Sequence, residues 1–92
     1  MSTSADAAIT ESSDDIVGAE VSRYLARYVD DVTLLERERL ISSGLLDSLA
    51  AVALIAFLQK RFAIEVLDED LDLANFDSVA QVVAFVARKR AG

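Results

Sequence analysis

Across 92 residues there is no proline and there are only three glycines, so almost nothing in this chain can interrupt a helix. Alanine, leucine and valine fill the apolar positions, and that composition favours helices packed on one another over a sheet. A chain this short makes one small domain with a limited core. It contains no cysteine, so neither a disulfide framework nor a thiolate metal site can reinforce that core. The expected fold is all-α: three main helices plus a short one, with a long first loop.

Charge and missing residue types narrow the chemistry. Sixteen acids against nine bases give a formal net charge of -7, which repels nucleic acid and anionic membranes and suits partners that present arginine and lysine. No basic region followed by an apolar run marks the N-terminus, and the longest apolar run, Leu49 to Leu58, is too short to span a bilayer. A cytoplasmic monomer without membrane insertion is expected. With no histidine there is no Ser-His pair and no imidazole metal ligand; with no cysteine there is no thiol nucleophile. Carboxylates, hydroxyls, lysine and arginine remain; enzymes can be built from these, but catalysis is not the expectation for so small a chain.

Residues 1–13 are small, polar and aperiodic, and read as a disordered tail ahead of one domain over residues 14–92. Ser12 and Asp15 have the spacing of a capping pair. Ile16, Val17, Val21, Tyr24, Leu25, Tyr28 and Val29 then recur at helical spacing, predicting a first helix that ends near Asp30 or Asp31. From Val32 to Gly44, leucines alternate with charges, which fits a loop with apolar anchors and one short turn of helix. Asp47 is a good N-cap for a second helix over residues 48–62, with Ala51, Leu54, Ile55, Leu58 and Phe62 toward the core. Asp68 to Leu73 suggests a short helical turn. Ser78 and Gln81 form a second capping pair, ahead of a stripe of Val79, Val82, Val83 and Val86. Arg88, Lys89 and Arg90 occupy the last turn, where cations complement the helix dipole.

One segment stands out. In Gly44-Leu45-Leu46-Asp47-Ser48-Leu49, a glycine turn, two apolar anchors and a capping aspartate bring a single hydroxyl to the start of a helix. The first N–H groups of a helix are unpaired and the dipole there favours negative charge, so a phosphate esterified to Ser48 would lie where helices commonly bind phosphate. By itself, Asp-Ser ahead of an apolar helix is only a common capping pair.

The wider context resembles a known family. Ser42-Ser43-Gly44-Leu45-Leu46-Asp47-Ser48-Leu49, the helix closing at Arg61-Phe62, and Asn75-Phe76-Asp77-Ser78-Val79 are similar to the acyl and peptidyl carrier proteins. The resemblance spans roughly Leu40 to Val86 and is closest to stand-alone carriers: the D-alanyl carrier proteins and the discrete carriers of polyketide and nonribosomal peptide pathways. It implies that Ser48 receives 4'-phosphopantetheine from coenzyme A through a phosphopantetheinyl transferase and magnesium, with Asp47 helping to present it. It further implies partners that load cargo, an adenylating enzyme or an acyltransferase, and downstream synthase or tailoring enzymes. The chain itself would be no enzyme, because reactivity resides in the thiol of the arm.

Two features depart from the fatty-acid members of that family. Leu49 to Ile64 contains no acid, and Lys60 and Arg61 make its end basic; the acids fall later, at Glu65, Asp68, Glu69, Asp70, Asp72 and Asp77. The run Leu49 to Leu58 is also apolar all round, more than three helices can cover. Leu49, Ala50, Val52, Ala53 and Ala56 lie off the predicted core stripe and are expected to form a shallow apolar patch for a partner beside Ser48. The alternating acids Asp68, Asp70 and Asp72 lack the glycine and closing glutamate of a calcium loop, since Leu73 and Val79 stand in those places; a solvated acidic surface is expected, and no metal. Carriage of D-alanine or of fatty acids is the alternative on the same chemistry. A cofactor-free helical interaction domain is the alternative from another class.

Overall fold

The computed structural model describes residues 13–91, and among these it contains helices and no strand. The chain is the small all-α bundle that its composition calls for. Helix α1 spans Ser13–Leu25 and tightens into a 3-10 turn, Ala26–Tyr28, before Val29 turns extended. Helix α2 is a single turn, Leu34–Arg37; α3 spans Ser48–Phe62 and α4 spans Val79–Ala91. Two further 3-10 turns, Asp68–Asp70 and Leu73–Asn75, bridge α3 to α4. The tail expected over residues 1–13 and the capping role of Ser12 lie outside the described residues, except that Ser13 already belongs to α1.

One stripe from each long helix closes the core. Val17, Val21 and Leu25 of α1 meet Leu54, Leu58 and Phe62 of α3 and Val82, Phe85 and Val86 of α4. Spacings of three and four put each set on one face of its helix, and burial of each large side chain contributes about 1.5–3 kcal/mol, an upper estimate. Phe85 was absent from the predicted stripe of α4, yet it is fully buried and lies edge-on to Phe76, with ring centroids 5.0 Å apart. Gly18 brings α1 close to α4: a Cβ there would lie 3.5 Å from Val83 Cγ2.

The first loop carries the apolar anchors that its leucines predict. Leu35, Leu40 and Leu46 are buried, while Leu34, Ile41 and Leu45 are partly covered. Helix α3 starts and stops where expected, but nothing in its composition marks the stop. Ala63 ends it in the left-handed conformation, φ 55°, a role usually taken by glycine. At the start of α4, the Ser78 hydroxyl accepts the Gln81 N–H at 3.0 Å, and Gln81 Oε1 reaches one residue further back to accept the Asp77 N–H.

The last turn of α4 does more than complement a dipole. Lys89 Nζ lies 2.7 Å from Asp70 Oδ2, and Arg88 donates to Asn75 Oδ1 at 2.8 Å. Asn75 in turn donates to the Asp70 carbonyl. The acidic segment is thereby strapped to α4, and Asp72 is used to receive the Ala74 N–H. Among the described residues, no group of three or more carboxylates is placed to hold a metal ion, and no helix is long and apolar enough to cross a membrane.

Candidate functional site

Ser48 is the first residue of α3 and is exposed. Its position follows from how the preceding stretch, Leu40 to Leu46, is pinned. Leu40 and Leu46 are buried at either end of that stretch, and the Leu46 N–H donates back to the Leu40 carbonyl at 2.7 Å. Between them the Gly44 N–H donates to the Ile41 carbonyl at 3.0 Å, closing a turn in which Gly44 has φ 86°. That left-handed conformation is open to glycine at little steric cost. The Ser43 hydroxyl donates to the Arg39 carbonyl, bracing the turn from outside.

Asp77 fastens this loop to the start of α4. Its carboxylate is buried, only 5 % exposed, and Oδ1 accepts the N–H groups of Ile41 at 2.7 Å and Ser42 at 2.9 Å. The Ser42 hydroxyl donates to Oδ2, and the Leu40 N–H donates to the Asp77 carbonyl at 2.8 Å. Burial pushes the Asp77 carboxyl up, but the hydrogen bonds from Ser42 and Ile41 and the charge of Arg39 outweigh it, so its pKa lies below the ordinary value. Asp77 therefore differs from the exposed acids that precede it in the chain. It is a structural anion, and its place in Asn75-Phe76-Asp77-Ser78-Val79, next to an aromatic residue and a capping serine, was the signal in the sequence.

Asp47 performs the predicted capping. Its backbone is extended, its side chain accepts the Ala50 N–H at 2.8 Å, and its carbonyl accepts the Ala51 N–H at 2.9 Å, the first bond of the helical ladder. The N–H groups of Ser48 and Leu49 precede that ladder. The Asp47 carboxylate already offsets part of the helix dipole, so a phosphate on Ser48 gains less from the helix end than an uncapped helix would offer.

The predicted apolar patch is at least partly exposed in all but one of its members. Leu49 is 80 % exposed and Val52 63 %; Ala56 is exposed as well. Ala53 is half-buried at the edge. Ala50 is a correction: it is buried, 6 % exposed, and lies on the inward face with Leu54, Leu58 and Phe62. Ala51 and Ile55, expected in the core, are only partly covered. The helix is rotated relative to the predicted phase, because α1 packs against its Phe57 and Arg61 edge. Tyr24 stacks on Phe57 with centroids 4.2 Å apart, and Glu20 holds Arg61 through two hydrogen bonds. With so many alanines on α3, periodicity alone cannot choose between the two phases.

No protein-family model, curated protein or solved structure matches the chain. The geometry therefore stands by itself: one exposed hydroxyl at the first residue of an unusually apolar helix, delivered by a loop anchored on both sides of its glycine turn. The Ser48 side chain is exposed, directly after the capping carboxylate of Asp47.

Proposed function

We propose that this protein is a carrier whose Ser48 is esterified by 4'-phosphopantetheine. The observation that carries the reading is the exposed Ser48 hydroxyl at the capped start of α3, held by the loop that Asp77 clamps. A modifying enzyme needs a fixed target that it can surround, and a serine on a rigid helix end with an 80 % exposed leucine next to it offers one. The residues fit the group: Ser48 would bear the phosphodiester, and Asp47 would order the backbone on which it sits. When attached, the arm supplies a thiol that holds cargo as a thioester. The protein contributes position, and tethering raises the local concentration of cargo at each partner's site.

Leu49, Val52 and Ala56, with Ala53 at their edge, would be the surface that loading and consuming enzymes touch. This patch is small, which suits brief encounters with several partners rather than one stable complex. An adenylating enzyme or acyltransferase would load an acyl or aminoacyl group, and synthase or tailoring enzymes of specialised polyketide or nonribosomal peptide metabolism would consume it, in the cytoplasm. D-alanyl or fatty-acyl carriage uses the same site. The exposed stripe also favours a second reading, a cofactor-free helical interaction domain.

One experiment separates carrier from interaction domain. The protein is incubated with coenzyme A, magnesium and a broad-specificity phosphopantetheinyl transferase, and its intact mass is measured. A gain of one phosphopantetheine that disappears in Ser48→Ala is expected. An unchanged mass, or a gain that survives Ser48→Ala, removes the carrier reading at this residue.

A further inference from the structure

On a chain of net charge -7, the side of α1 that packs on the second half of α3, together with the last turn of α3, forms a cationic face. Arg23 and Arg27 come from α1 and the 3-10 turn that follows it; Lys60 and Arg61 come from the last turn of α3. Glu20, the acid that α1 places among them, is already taken: Arg61 Nη2 lies 2.7 Å from its Oε2 and Arg61 Nε 3.2 Å from its Oε1. Lys60 is exposed and makes no ion pair among the described residues. The whole of α3, Ser48–Phe62, contains no acid.

Between these cations the surface is aromatic and apolar. Arg27 lies over the Tyr24 ring, 4.8 Å from its centroid, and Tyr24 stacks on Phe57. The Tyr28 hydroxyl is 3.2 Å from that of Tyr24, and Tyr28 remains 38 % exposed. Phe57, Lys60 and Arg61 line a shallow cavity of about 360 Å³. Lys60 follows Val52 and Ala56 at intervals of four, so this face continues the exposed stripe of α3. Lys60 lies about 18 Å from Ser48 along the helix axis, at 1.5 Å per residue.

We infer that this α1–α3 face docks an acidic amphipathic segment of a partner protein. The inference goes beyond the carrier reading and does not require Ser48 to be modified. A purely apolar partner would cover Lys60 and Arg27 without pairing them, and a basic partner would meet like charge. A segment with apolar side chains along one edge and carboxylates along the other fills the cavity beside Phe57 and pairs both cations. The face is preorganised, because the Tyr24–Phe57 stack and the Glu20–Arg61 pair hold α1 against α3 before any partner arrives. The rest of the molecule opposes an acidic ligand, so binding of one must be local and specific.

The test is a titration of the unmodified full chain, labelled with nitrogen-15, with a synthetic helical peptide of leucine and glutamate. Amide shifts are expected to saturate and to concentrate at Tyr24, Arg27, Phe57 and Lys60. Affinity should fall about tenfold in the Arg27→Glu/Lys60→Glu variant and severalfold in the milder Lys60→Gln variant, and it should weaken as salt rises. Thermal melts establish that both variants are folded. A leucine–lysine peptide of equal length should leave these four residues unmoved. The inference is overturned if the acidic peptide causes no saturable shift there, if the basic peptide moves the same residues, or if only anionic phospholipid vesicles do. Because none of these measurements involves coenzyme A or Ser48, the carrier reading and this one fail separately.

Discussion

Ser42 and Asp77, 35 positions apart in the chain, are joined through backbone and side chain together: the Ser42 N–H donates to Oδ1 at 2.9 Å and its hydroxyl to Oδ2. With the Ile41 N–H on the same carboxylate, this contact decides where the Ser48 loop sits. Asp77→Ala would leave two backbone donors without their partner, at roughly 1–3 kcal/mol each less whatever water recovers. A loss of about 2–4 kcal/mol in urea unfolding is expected. Asp77→Asn should cost less, because its amide oxygen keeps an N–H and its amide nitrogen can donate to the Ser42 hydroxyl. An Asp77→Ala variant as stable as the parent would show that the loop is held by Leu40 and Leu46 alone.

Acid should weaken the fold through a short set of named carboxylates. Asp77 lies below its ordinary pKa for the balance of causes given above. The hydrogen bond from Lys89 depresses Asp70 and that from Arg61 depresses Glu20. In each case the unfolded chain takes up its proton at higher pH than the folded one. Their stabilisation is therefore complete above the ordinary values of 3.8 for Asp and 4.5 for Glu, and is lost as pH falls through the lower folded values. Denaturant midpoints should be level from neutrality to about pH 5 and then decline steadily. Asp77→Asn should flatten part of that decline. A midpoint that rises on acidification would contradict the account, and relief of the net negative charge is the opposing force to watch.

Three backbone positions give predictions of both signs. Gly44→Ala should destabilise by about 1–2 kcal/mol from its φ of 86° alone, since a Cβ there meets nothing within 4 Å. Ala63→Gly should stabilise by about 0.5–1 kcal/mol, because the left-handed stop of α3 then carries no Cβ. Gly18→Ala should also stabilise by about 0.4–1 kcal/mol, as the new methyl makes only an ordinary contact with Val83. Thermal or urea denaturation of the three single variants checks all three signs. A destabilised Gly18→Ala would mean that the α1–α4 approach cannot give by even a few tenths of an ångström.

Much of this architecture is legible in the residues. The lack of proline makes helices, Asp47 starts α3 where capping chemistry puts it, and leucines in a charged loop fold inward because water is costly to them. What escaped the sequence has a common cause: it depends on pairs far apart in the chain. Asp77 reads as one more acid until Ser42 is brought to it. Asp70 reads as solvated until Lys89 reaches back. The phase of α3 cannot be read from alanines, which fit either face; Tyr24 and Glu20 of α1 set it through Phe57 and Arg61. Ala63 escaped for a local reason, since alanine advertises a helix and here ends one.

That phase shift yields a sharp contrast between two neighbouring positions on α3. Ala50 and Val52 belonged to one predicted patch, yet Ala50 is 6 % exposed and Val52 63 %. Val52→Glu places a charge in water on a helix that tolerates glutamate, so its stability should stay within about 0.5 kcal/mol of the parent. Ala50→Glu forces a carboxylate among Leu54, Leu46 and their neighbours in the core and should cost about 3 kcal/mol or more. If Ser48 is loaded by an enzyme that grips the exposed stripe, Val52→Glu should lower kcat/KM for phosphopantetheine transfer about tenfold while the melting curve is unchanged. Ala50→Glu should fail first as a fold, with loading lost only in proportion. Equal loading by Val52→Glu and parent would show that the transferase reads the loop around Gly44 and Asp47 instead of the helix, and would return the stripe to partners of the α1–α3 face.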